Sequence, residues 1–150
     1  MTDTDIIYQI QKAGFNEVFN HLLNCKDDFI PALDETVDIA AYSKKIVENA
    51  ITFEAWENEN LTGLIAVYCN DINKQTAFIT NVSVLNKSSG RGIAGQLLTA
   101  CVKYVTDKNF KTIELQVNKK NKQAINLYKK HNFEETLVNG ESVTMSLIVG

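Results

Sequence analysis

Proline is almost missing from this chain: Pro31 is the only one in 150 residues, which excludes a proline-rich linker or stalk. Cysteine is scarce as well. Cys25, Cys69 and Cys101 are odd in number, widely spaced and without a CxxC, so neither a disulfide framework nor a zinc or other metal site is expected. Long apolar runs are lacking too. The longest, residues 61–69, contains Thr62 and Gly63 and falls short of the ~18 residues a membrane span needs. The opening Met1-Thr2-Asp3-Thr4-Asp5 is acidic with no apolar core behind it, so no secretion signal is expected. These absences predict a reduced, cytoplasmic protein with no membrane contact. No repeat, linker or low-complexity tract divides the chain, and a hydrophobic content of 45% suffices for a buried core. A single domain over residues 1–150 is the expectation.

Charge is distributed unevenly around a net −3. Between Asn86 and His131, ten Lys and Arg stand against Asp107 and Glu114, so that segment carries +8 and the remainder −11. A basic half suits a polyanionic ligand, and solvated helix faces produce the same count. Basic and aromatic residues do not interleave, and the total is negative, so nucleic acid is not an expected partner.

The period of the apolar residues changes along the chain. Phe15, Val18, Phe19, Leu22 and Leu23 recur at helical spacing, as do Ile39, Tyr42, Ile46 and Val47, and the acidic residues 27–38 between them read as a loop. Residues 6–10 fit a short strand or the start of the first helix. Alternation over 51–56, 61–70 and 77–85, with turns at 57–60 and 71–74, predicts an antiparallel meander. Residues 90–109 then place Ile93, Leu97, Leu98, Cys101, Val102 and Val105 on one helical face. A strand over 112–118, a helix over 123–131 and a hairpin through Asn139-Gly140 complete the order. The passage from 77 to 118 predicts two adjacent parallel strands joined by a helical crossover. The fold class is therefore α/β (α+β), a mixed, mostly antiparallel sheet flanked by helices.

Within this order, the stretch Val82 to Gly95 passes from strand to glycine-rich turn to helix. A turn there sets unpaired N–H groups at a helix N-terminus, which favours an anion. Gly90 and Gly92 let the main chain approach that anion without a Cβ between them.

These residues resemble the GNAT superfamily, the Gcn5-related N-acetyltransferases. The family's phosphate motif, Gln/Arg-x-x-Gly-x-Gly/Ala, reads here Ser89-Gly90-Arg91-Gly92-Ile93-Ala94. Its second motif, Asn-x-x-Ala-x-x-Leu-Tyr-x-x-x-Gly-Phe, reads Asn121, Ala124, Leu127, Tyr128, Asn132 and Phe133, after the alternating Leu115-Gln116-Val117. At motif level the match spans residues 77–133.

The resemblance implies the acyl-CoA N-acyltransferase fold and acetyl-CoA as co-substrate. Backbone groups of Val82 and Val84 would pair with the pantetheine amides, residues 89–94 would seat the pyrophosphate, and Arg91 and nearby lysines would meet the remaining phosphate charge. Asn121 would contact the amide arm, a role compatible with capping a helix. A backbone N–H near Val84 would stabilise the oxyanion, and Tyr128 would return a proton to the departing thiolate. His131, one turn on, reads as structural.

Three positions depart from the family pattern. Ser89 replaces Gln or Arg, Asn132 replaces a Gly, and Gln116 stands where some relatives carry a glutamate base. The base is then Glu54 or Glu114, or a water chain carries the proton to solvent. The acceptor pocket would draw on residues 27–38 and on Tyr42, Tyr68, Asn70 and Asn81. The implied reaction moves acetyl directly to a primary amine of a small molecule: an amine, amino sugar or amino acid. A protein N-terminus or lysine, or a catalytically inactive acyl-CoA-binding module, are the competing readings, and a homodimer is left open. A dinucleotide site is disfavoured, because three antiparallel strands precede the turn and no Gly-Lys-Ser/Thr is present.

Overall fold

The computed structural model describes residues 5–150; the start of the acidic N-terminus, residues 1–4, lies outside them. Its elements are β1 (Ile7–Ile10), α1 (Phe15–Cys25), α2 (Leu33–Thr36), α3 (Ile39–Asn49), β2 (Ile51–Glu57), β3 (Asn60–Tyr68), β4 (Thr76–Val84), α4 (Ile93–Asp107), β5 (Thr112–Asn118), α5 (Lys122–Lys130), β6 (Glu134–Asn139) and β7 (Ser142–Ile148). The ambiguous residues 6–10 supply a strand, antiparallel to β2. The expected loop at 27–38 holds a 3-10 turn and the single helical turn α2. The third helix pattern begins at Ile93 rather than Gly90, because Gly90 and Gly92 take φ of +80° and +75°, outside the right-handed helical region.

Side chains fix where the helices start. Asp38 accepts from the Ala41 N–H at the head of α3, and Asn121 from the Ala124 N–H at the head of α5. At α1 the Gly14 N–H instead donates to Glu17, 2.7 Å away.

The seven strands form one sheet in the order β1-β2-β3-β4-β5-β7-β6. Only β4 and β5 run parallel; every other pair is antiparallel. The C-terminal hairpin turns at Gly140 (φ +63°), and β7 rather than β6 lies beside β5.

Two cores sandwich the sheet. Val18, Leu22, Ile46 and Leu64 pack under α1 and α3, while Phe53, Leu97, Leu98, Ile113 and Met145 pack on the side of α4 and α5. Strands β2 and β3 are covered on both faces, so they are buried almost throughout. Gly63 on β3 is where α4 comes closest: a Cβ there would stand 2.7 Å from Ile93 Cγ2 and 3.2 Å from Leu97 Cδ1. No helix of the described residues is long and apolar enough to cross a membrane.

Candidate active site

The site begins with a defect in the sheet. Strands β4 and β5 pair only over residues 76–79 against 112–115, and beyond that they separate into a V. A bulge lies where the pairing stops. On the β3 side Ala66 faces Asn81 and Val67 faces Ile79, so Thr80 is the extra residue. The bulge also switches faces: Ala77 and Ile79 before it, and Val82 and Val84 after it, all pack on the α4 side.

Backbone hydrogen bonds show which groups the V exposes. The Leu85 N–H donates to the Thr62 carbonyl of β3 at 2.9 Å. Alternation along the strand then turns Ser83 to β3 and leaves the N–H and C=O groups of Val82 and Val84 facing the V. These are edge groups in the middle of a sheet.

At the wide end of the V lies the glycine turn. Gly92 is the N-cap of α4, no side chain caps the helix, and its first turn holds no acidic residue. The first-turn N–H groups and the positive end of the helix dipole thus point outward unneutralised. They help line a cleft of about 570 Å³ bounded by Val82, Val84, Ser89, Gly90, Gly92 and residues 93–95. Arg91 contributes its backbone to the turn, but its guanidinium points to Glu57 on β2, Nη1 to Oε2 2.7 Å. The guanidinium holds the Glu57 carboxyl below the usual carboxylate range.

Deeper in the V is a second cavity of about 190 Å³, whose walls include Asn81, Val82, Gln116, Asn121 and Tyr128, with Phe29 and Ile30 across from them. Val82, Asn121 and Leu127 line both cavities, so the two are continuous along one wall. Tyr128 is 6% exposed, and burial raises its phenol above the ordinary value. It stays a neutral O–H donor across the physiological range.

Several residues expected at the site lie elsewhere. Glu54 lines neither cavity. It is fully buried, and its oxygens accept from the Lys12 and Ala13 N–H groups (3.0–3.2 Å), Thr52 Oγ1 (2.6 Å) and Trp56 Nε1 (3.0 Å). That carboxyl group fastens the β1–α1 connection to β2. Glu114 sits on the paired part of β5, opposite Phe78, and also lines neither cavity. Of Tyr42, Tyr68, Asn70 and Asn81, only Asn81 lines either of these two cavities. Tyr42 reaches from α3 to the bulge, its hydroxyl donating to the Thr80 carbonyl at 2.7 Å. The Tyr68 hydroxyl is buried with no partner, and Asn70 donates to the Asn49 carbonyl at 3.1 Å. These three belong to the packing of α3 on the sheet.

Other residues enter the site unannounced. Gln123, Asn126 and Lys130 line the large cleft from α5, a stride of three and then four residues along one helical face. Asp28 and Asn86 line it as well and bridge across it, Nδ2 to Oδ1 3.1 Å.

The sequence model of the Acetyltransferase (GNAT) family matches residues 15–133. No curated protein matches the chain. Among solved structures, a Pyrococcus horikoshii OT3 protein superposes with TM-score 0.76 at 24% identity, over 97% of this chain and 99% of that one. The PaiA N-acetyltransferase of Thermoplasma acidophilum in complex with coenzyme A gives 0.72 at 14%, over 95% and 99%. The ribosomal-protein-S18-alanine N-acetyltransferase of Escherichia coli gives 0.73 at 16%, over 96% and 95%. With the family's sequence model covering most of its length, and a split sheet leading to a glycine turn, this chain belongs to the GNAT acetyltransferase family.

Proposed function

We propose that this protein moves the acetyl group of acetyl-CoA directly to a primary amine of a small molecule (an amine, amino sugar or amino acid) in a reduced cytoplasmic setting. The observation that carries this reading is the continuity of the V. Edge groups of Val82 and Val84, the open first turn of α4 and Tyr128 line two cavities that share a wall. A coenzyme A complex among the structural neighbours supports the choice of donor.

Acetyl-CoA, when bound, supplies an activated acyl group, so that an N–C bond forms as the C–S bond breaks. The protein's part is to hold and to move protons. Residues 89–94 offer backbone N–H groups to the pyrophosphate, and Lys130 adds a positive charge. The N–H at Val84 faces the V, where it can stabilise charge developing on the carbonyl oxygen. Asn121 spends its side-chain oxygen on the Ala124 N–H, which leaves its NH₂ for the amide arm.

No carboxylate of the described residues lines the inner cavity, so the amine must enter already neutral. Tyr128 then serves twice. Its phenol gives a proton to the departing sulfur, and burial makes the resulting phenolate a strong base. That phenolate takes the proton which nitrogen must lose, and the balance closes without Glu54 or Glu114. Oriented proximity of amine and acyl group supplies most of the rest.

The test is a panel of small amines, amino sugars and amino acids with acetyl-CoA, followed by free-thiol release, with peptides bearing a free N-terminus or lysine as a second arm. Turnover of a small amine, lowered by roughly 10²-fold or more in Tyr128→Phe, is the expected result. Turnover of peptides alone would move the assignment to protein acetylation. Acetyl-CoA binding with no thiol release from any amine would make the chain a binding module.

A further inference from the structure

Polar side chains that the transfer chemistry does not use meet behind the bulged half of β4. From α1, the buried His21 imidazole places Nε2 2.9 Å from Ser83 Oγ and Nδ1 3.2 Å from the Leu61 carbonyl oxygen. Ser83 Oγ lies 2.8 Å from the Asn81 side-chain amide. From α3, the Tyr42 hydroxyl lies 2.7 Å from the Thr80 carbonyl oxygen and 2.8 Å from Thr80 Oγ1, and it also interacts with Asn81. Apart from the Leu61 contact, all of these end on residues 80–83, the segment that leaves β5.

We propose that His21 and Tyr42 are positioning residues for the donor strand. Through Ser83, Asn81 and Thr80 they brace the bulge from two helices and hold open the V in which Val82 and Val84 present their backbone groups. The consequence for binding rests on the acetyl-CoA reading; the brace itself does not.

Proton counting gives the brace a direction. A carbonyl oxygen only accepts, so the hydrogen sits on Nδ1, facing Leu61. Burial pushes the imidazole down to about 4, so at neutral pH it carries one proton and Nε2 is an acceptor. Ser83 therefore donates to Nε2 and has no second hydrogen to give. Yet Asn81 turns Oδ1 to Ser83 while its Nδ2 is buried with no partner. Reversing that amide, whose two ends are nearly isosteric, corrects both faults. Nδ2 then donates to Ser83, Ser83 to His21 and His21 to Leu61, and Oδ1 takes the side that faces Tyr42. Each hydrogen between Ser83 and Leu61 then has one acceptor, and the single Tyr42 hydrogen serves the Thr80 carbonyl or Oδ1.

Nitrogen-15 spectra of the whole chain test the direction, since His21 and His131 are its only histidines. The Nδ1–H tautomer at His21 is expected at pH 7; the Nε2–H tautomer would overturn the scheme. Calorimetry with acetyl-CoA tests the brace. Tyr42→Phe, which removes only the hydroxyl, should raise the dissociation constant roughly five- to tenfold. Ser43→Ala removes a neighbouring buried hydroxyl that has no partner and should stay within about twofold of wild type. Equal affinity in wild type and Tyr42→Phe would sink the brace; if that variant does not fold, Ser83→Ala is held to the same standard. Should wild type bind no acetyl-CoA, the functional reading fails by itself. The brace is then judged by backbone amide shifts of residues 80–83 in Tyr42→Phe, where displaced signals support it and unmoved ones refute it.

Discussion

Arg91 and Glu57 form a pair 2.7 Å apart that turns the one arginine of the glycine turn toward β2 and away from the cleft. Lys130, by contrast, lines the cleft itself. Lys130→Ala should therefore weaken acetyl-CoA binding more than Arg91→Ala, by roughly fivefold at low ionic strength and less in added salt. Arg91→Ala should instead lower stability slightly, because solvent screens its pair with Glu57. Titration calorimetry at two salt concentrations checks the order, and a larger loss for Arg91→Ala would reverse it.

Glu54 separates a structural carboxyl from a catalytic one. Glu54→Ala strands four donors at once, the Lys12 and Ala13 N–H groups, Thr52 Oγ1 and Trp56 Nε1, and should cost about 3 kcal/mol or more of unfolding free energy. Turnover per folded molecule should stay near wild type. A pH–rate profile that loses an acidic limb in this variant would restore Glu54 as the base.

Gly63 tests how the phosphate turn is seated. In Gly63→Ala the new methyl meets Ile93 and Leu97, the first turns of α4, at 2.7 and 3.2 Å. Ile93 has to give way, at a cost of about 1–3 kcal/mol, and because it is the first residue of α4 the open N–H groups are expected to shift with it. Weaker acetyl-CoA binding should accompany the lowered melting temperature. Full affinity in a destabilised variant would show that the turn does not depend on where α4 sits.

His21 predicts a pH dependence of stability. Its folded value, about 4, lies below the 6.5 of an unfolded chain, so the unfolded state takes up a proton first as the pH drops. The contribution is whole above about 6.5 and is lost as the pH falls through 4. Across that window wild type should lose about 3 kcal/mol more than His21→Gln. Parallel curves from denaturant titrations at pH 7 and pH 4 would contradict it.

Much of this was legible in the sequence because it rests on local backbone demands. Gly90 and Gly92 mark a left-handed turn, and Asn121 with Tyr128 marks a capped helix one turn from a strand. Glu54 misled for a physical reason. In a half-buried strand an acidic residue between apolar ones faces water, but β2 is covered on both faces, and the β1–α1 connection joins Thr52 and Trp56 in supplying its donors. Tyr42 lies behind the sheet, and Tyr68 at the end of β3 packs on the same side, because α3 crosses there, a placement that no pattern within residues 39–49 encodes. The stride of Gln123, Asn126 and Lys130 was readable, yet it gained meaning only when α5 was seen to wall the cleft.

Only four residue pairs join β4 to β5, so the sheet is two plates meeting along a short seam, β1 to β4 on one side and β5 to β7 on the other. Whatever fills the V touches both plates at once. On the acetyl-CoA reading proposed above, a bound donor would work as a splint, taking up edge groups that a longer seam would have paired, and stiffness would come from the very molecule that is consumed. On that reading the same contacts would be given up at each turnover, tying the rate of product departure to the ease with which the two plates loosen.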